Sequence, residues 1–132
     1  MKLILDTNCY VGFKMGNPEI VEYLTRADII LISPIVLGEL MFGFINGARY
    51  KQNMDELEQF LNHEAVEEIQ IGKITADRYS RIAAQLKRQG TPIPANEIWI
   101  AAQAMEHGAE LVTMDRHFEK INGLVYRYFP LI

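Results

Sequence analysis

Short apolar runs, each too brief for a helix and separated by stretches of helical periodicity, constrain this chain more than any other feature. "KLIL" (2–5), "IILI" (29–32), residues 66–71, "ELVT" (110–113) and "LVYRYF" (124–129) read as strands. Between them, Asn17-Pro18 and Ser33-Pro34 each place a capping residue before a proline at the first helical position. They predict helices over residues 18–25 and from Ser33 to about Phe44. In the second, Leu37, Leu40, Met41 and Phe44 recur at i, i+3, i+4 and i+7. Further helices are expected over residues 48–63 and over 74–89, the latter closed by Gly90. Another follows Pro92 and Pro94, with Asn96 as its cap and Ile98, Ala101, Ala102 and Met105 as its apolar face. "RHFEKI" predicts a last short helix. Short strands alternating with amphipathic helices imply an α/β sandwich around a mainly parallel sheet. Ligands in such folds bind at the carboxyl ends of the strands.

A chain of 132 residues suits one domain, and no repeat or flexible linker divides it. The single cysteine, Cys9, excludes an internal disulfide and a cysteine-rich zinc site, and reads as a buried apolar thiol. "MKLILD" offers three apolar residues before an acid, too few for a signal peptide. The longest apolar stretch is interrupted by Ser33, Pro34 and Glu39, so no membrane span is expected and a cytoplasmic location is. The net charge of −4 conceals an asymmetry. Residues 54–70 carry six acids and no Lys or Arg, whereas 73–90 carry five basic residues and one acid. In the basic segment Arg78, Arg81 and Arg88, with Lys87, form either a rail for a nucleic-acid backbone or a solvated helix face.

Four acids occupy unusual places. Asp6 follows the run "LIL" directly, and Asp115 comes two residues after "LVT", so both belong at the carboxyl edge of the sheet. Glu39 is the one charge in an otherwise apolar helix, without a Lys or Arg within a turn, and such an isolated acid calls for a partner. Glu97 stands at a helix start, where the helix dipole favours it. Brought together, four carboxylates repel one another, and a hard cation such as Mg²⁺ or Mn²⁺ resolves the conflict. Phosphodiester hydrolysis is the chemistry such a cluster suits.

In order and spacing, "LDTN" (5–8), "SPIVLGELMFG" (33–43) and "PIPANEIWIAAQAMEHGAELVTMDRHFEKINGL" (92–124) resemble the PIN-domain ribonucleases, and among them the VapC-type toxins of bacterial toxin–antitoxin pairs. The resemblance spans nearly the whole chain. It implies a three-layer α/β/α sandwich with a parallel five-stranded sheet, residues 1–132 forming one PIN domain. It also implies a homodimer, an RNA substrate (tRNA or rRNA) and a cognate antitoxin. Asp6, Glu39, Glu97 and Asp115 fall on the family's four acidic positions, as catalytic residues and ligands of Mg²⁺ or Mn²⁺. Asn8 and Thr113 fall on positions that orient those carboxylates, and Arg116 and His117 lie where they could reach a substrate phosphate. One departure stands out: the family's third acid is usually Asp, and here it is Glu97. The longer side chain moves the carboxylate by about 1.5 Å, which leaves open an alternative, a PIN-fold binding module with weak or no catalysis.

Overall fold

Lys2–Leu5 (β1) forms the middle of a parallel sheet in the computed structural model, which describes residues 1–130. The chain continues through Thr7–Lys14 (α1), Pro18–Thr25 (α2), Ile29–Ile32 (β2), Pro34–Ile45 (α3), Tyr50–Leu61 (α4) and Val66–Glu68 (β3). Lys73–Gln89 (α5), Ala95–His107 (α6), Glu110–Thr113 (β4), a 3₁₀ turn over Arg116–Lys120 and Tyr126–Tyr128 (β5) complete it. The strands align in the order β3-β2-β1-β4-β5, every neighbouring pair parallel. Successive side chains of a strand point to opposite faces. Leu3, Ile4 and Leu5 are nonetheless all fully buried, so both faces of the sheet centre are covered. This is the expected three-layer α/β arrangement. The edge strands β3 and β5 are only partly buried and carry Glu67, Glu68 and Arg127.

Strand order decides where a site can form. From β1 the chain builds outward through β2 and β3, then returns to the other side of β1 for β4 and β5. The crevice beyond the carboxyl ends of β1 and β4 is therefore the topological switch point. Leu5 pairs with Val112, and the Asp6 amide donates to the Val112 carbonyl at 3.0 Å, so the residues after both strands emerge side by side.

The Ser33 and Asn17 side chains cap α3 and α2 as expected. Gly90 and Gly108 end α5 and α6 in the left-handed region, at φ 69° and 60°. α1 has no counterpart among the expected helices, and four expectations need correction. α1 carries weak local signals, with Asn8, Val11 and Gly12 in eight residues, and forms because Asp6 starts it and Cys9 and Tyr10 bury their side chains. The strands expected over 66–71 and 124–129 shorten to three residues each. α6 starts two residues earlier than expected, with Pro94 in the capping position, so Asn96 lies inside the first turn and its side chain is free for another role. The buried face of α6 also includes Ile100, Gln103 and Ala104, whereas Met105 is only partly buried.

Cys9 is buried, its thiol pushed up to about 12 by burial and the nearby Asp6 charge, which leaves it inert. Among the described residues no helix is long and apolar enough to cross a membrane.

Candidate active site

Four chain segments deliver the four acids to the switch point. Asp6 ends β1 and starts α1, and it is 8% exposed. Its Oδ1 accepts the Thr7 amide at 2.9 Å and its Oδ2 accepts the Thr113 hydroxyl at 2.8 Å. Thr113, last residue of β4 and fully buried, also accepts the Asp115 amide on its Oγ1 at 3.0 Å. One hydroxyl thus ties the first acid to the backbone of the last. Asp115 in turn caps the 3₁₀ turn, its Oδ1 accepting the His117 amide at 2.8 Å. Phe118, fully buried, anchors that turn against the core.

Glu97 sits in the first turn of α6, where the dipole favours an acid. Its side chain is only 16% exposed, and its Oε2 lies 2.9 Å from His117 Nδ1. The same nitrogen is 3.3 Å from Asp115 Oδ1. Donor atoms of Glu97, Asp115 and His117 all lie within 4.8 Å of one another. Glu39, from α3, stands beside this group rather than in it. Its Oε1 accepts the Thr7 hydroxyl at 2.6 Å and its Oε2 accepts the Asn96 amide at 3.4 Å.

The electrostatics are those of crowded carboxylates. Burial raises Asp6 above its ordinary value, against the pull of the Thr113 and Thr7 hydrogen bonds, and the charges of Glu39 and Asp115 add to the rise. Glu97 is raised to about 7, by burial first and by Asp115 next, with His117 partly opposing the rise. Asp115 moves the other way. Burial pushes it up, but hydrogen bonds from Glu97 and the His117 amide, with the charges of His117 and Lys120, bring it below its usual range. Glu97 and Asp115 thus behave as a carboxylate pair, with Glu97 the member that keeps the proton.

Oxygen donors dominate the cluster, and an ionised carboxylate oxygen that accepts one hydrogen bond retains a further lone pair. Asp6, Glu97 and Asp115 therefore fit the donor set of a hard divalent cation. Such an ion would also offset the repulsion that adds to the burial-driven rise of Asp6 and Glu97.

Several residues take places the sequence did not indicate. Glu39 is exposed, so its position owes nothing to a buried charge seeking a partner; Thr7 and Asn96 hold it at the rim. Asn8 does not reach the acids: it is exposed and has no side-chain hydrogen bond among the described residues. Thr7, one position earlier, makes the contact instead. The Arg116 guanidinium lies 4.8 Å over the Tyr128 ring, at the end of β5 rather than among the acids. In α5, Arg81 pairs with Asp77 at 3.0 Å, and Gln85 ties the helix to the Lys120 carbonyl and the Asn122 amide. Of the phenylalanines, Phe13 and Phe60 pack together with ring centres 5.7 Å apart, whereas Phe42 is 69% exposed.

The PIN domain family model matches residues 3–124. Ribonuclease VapC1 of Haemophilus influenzae (strain R2866) is 30% identical over 132 residues, covering 96% of this chain and 97% of the relative. The tRNA(fMet)-specific endonuclease VapC of Salmonella typhimurium is 29% identical over 127 residues, covering 94% and 95%. Among solved structures, VapBC2 from Rickettsia felis bound to a DNA fragment from its promoter superposes with a TM-score of 0.84. The identity there is 29%, covering 98% of this chain and 99% of the other.

Proposed function

Because this chain belongs to the PIN-domain family, we propose that it is a metal-dependent endoribonuclease, the toxin of a toxin–antitoxin pair, that hydrolyses RNA phosphodiester bonds. The observation that carries this reading is the meeting of Asp6, Glu39, Glu97 and Asp115, from four separate segments, at the β1/β4 switch point. The ribonuclease and endonuclease names of the relatives support it, as does the likeness to the solved VapBC2 complex. Residues 1–132 act as one PIN domain. A cognate antitoxin is the expected protein partner, a tRNA or rRNA the substrate, a homodimer the working form and the cytoplasm the location.

Asp6, Glu97 and Asp115 would hold Mg²⁺ or Mn²⁺. Such an ion, when bound, lowers the pKa of a water and stabilises charge on a phosphoryl oxygen. The chain's own contribution is positioning. Thr113 keeps Asp6 and Asp115 in fixed relation, and the buried Phe118 keeps the 3₁₀ turn seated so that Asp115 cannot swing away. Glu39, exposed at the rim and held from both sides by Thr7 and Asn96, orients the water that attacks the phosphorus. In-line attack breaks the bond to the 3′ oxygen and leaves 5′-phosphate and 3′-hydroxyl ends. The test is cleavage of RNA by the purified chain and by Asp6→Ala, with and without Mg²⁺, and mapping of the ends. Cleavage by the chain alone, dependent on Mg²⁺, is expected. Equal cleavage by both proteins overturns the reading.

A further inference from the structure

The 3₁₀ turn that presents Asp115 also presents an imidazole, and its placement bears on which ion the site takes. His117 Nδ1 faces inward, 2.9 Å from Glu97 Oε2 and 3.3 Å from Asp115 Oδ1. Around an octahedral ion with donors about 2.1 Å away, neighbouring donor atoms are about 3.0 Å apart, that distance multiplied by the square root of two. The two observed separations bracket this value. The ring is also delivered rather than left to wander. The His117 amide is bonded to Asp115 Oδ1 at 2.8 Å, and the next residue, Phe118, is fully buried. Glu97 reaches the ring because its arm is one methylene longer than that of an aspartate.

We propose that His117 Nδ1 is a nitrogen ligand of the ion held by Glu97 and Asp115, so that the site prefers Mn²⁺ to Mg²⁺. This rests on the metal site proposed above and extends it. Mg²⁺ takes oxygen donors and keeps its waters, whereas imidazole suits first-row transition metals. A mixed set of carboxylates and one imidazole therefore discriminates by ligand softness, not by cavity size. Without an ion, the same three groups form the hydrogen-bonded carboxylate–imidazole cluster that the structure contains. With one, each turns a lone pair to it without leaving its anchored position.

The probe is Mn²⁺ itself, added to the full chain and followed by pulsed electron paramagnetic resonance and calorimetry. The wild-type protein should show ¹⁴N modulation from a coordinated imidazole, and ¹⁵N-histidine labelling should change it. His117→Gln should abolish the modulation and weaken Mn²⁺ binding by about tenfold or more, the scale seen when a metal site loses a supporting group. Its Mg²⁺ affinity should fall by clearly less than its Mn²⁺ affinity, and an unchanged far-ultraviolet circular dichroism spectrum reports that the variant remains folded; His117→Asn serves if His117→Gln does not fold. Mn²⁺ binding that lacks a nitrogen signal, or a signal that persists in His117→Gln, overturns the ligand assignment and leaves the carboxylate site standing. Mn²⁺ binding that Asp6→Asn does not weaken, or no Mn²⁺ binding at all, overturns the metal site on which the assignment rests.

Discussion

Glu97→Gln separates two opposed demands on the site, stability of the empty fold and capture of a cation. Burial and Asp115 raise Glu97 from 4.5 to about 7. The folded chain therefore keeps this proton up to about pH 7, whereas the unfolded chain releases it near pH 4.5. Between those values the folded state binds more protons, so stability falls as pH rises, and the full penalty is present above pH 7. At about 1.4 kcal/mol per tenfold change in proton affinity, the whole displacement amounts to about 3 kcal/mol. Asp115 titrates together with Glu97, and partial solvent access screens the pair, so about 1–2 kcal/mol is the expected share. For a chain of this size that corresponds to a midpoint difference of about 3–8 °C. The assay is thermal unfolding in a chelator across the pH range, comparing the wild type with Glu97→Gln. The two should coincide near pH 4.5 and diverge up to about pH 7, the variant becoming the more stable. Added Mn²⁺ or Mg²⁺ should stabilise the wild type more than the variant, because binding to the native state alone raises stability by mass action. Parallel pH curves for the two proteins would refute the crowded-carboxylate account of this site.

Thr113→Val keeps the shape of the side chain and removes the hydroxyl that joins Asp6 to the Asp115 amide. It should cost about 1–3 kcal/mol in denaturant unfolding and about 10–100-fold in metal affinity; two unchanged measurements would remove Thr113 from the site. Glu97→Asp withdraws the carboxylate by about 1.5 Å from a nitrogen it meets at 2.9 Å. It should lower RNA cleavage by about tenfold, since active-site geometry tolerates little displacement. A large rise in cleavage from a silent background would instead favour the binding-module reading.

Much of the fold was legible because its signals are local. Ser33-Pro34 and Asn17-Pro18 specify helix starts within two or three residues, and the two αL glycines end helices the same way. The apolar runs predicted strands, and where they failed it was at the sheet edges. There burial is partial and pairing one-sided, so the hydrophobic pattern outlasts the hydrogen-bonded strand. α1 was illegible for the converse reason: its residues have little intrinsic helix preference, and its packing against the core decides.

The placement of acids at strand ends and helix starts could be read from the sequence, since each lies within a few residues of a recognisable boundary. Which atoms meet could not. Thr113 reaches Asp6 across 107 positions because β1 and β4 are neighbours in the sheet, a fact of strand order. Asn96 reads as a cap in the sequence, and a two-residue shift in the helix start turns its amide toward Glu39. Thr7 and Asn8 are adjacent polar residues, and only the rotation of α1 chooses between them. His117 and Glu97 meet through a turn pinned by Phe118. Local propensity, acting over a few residues, determined the elements and the chemistry available at their ends. Tertiary packing, which fixes distances between segments far apart in the chain, decided which of those groups act together.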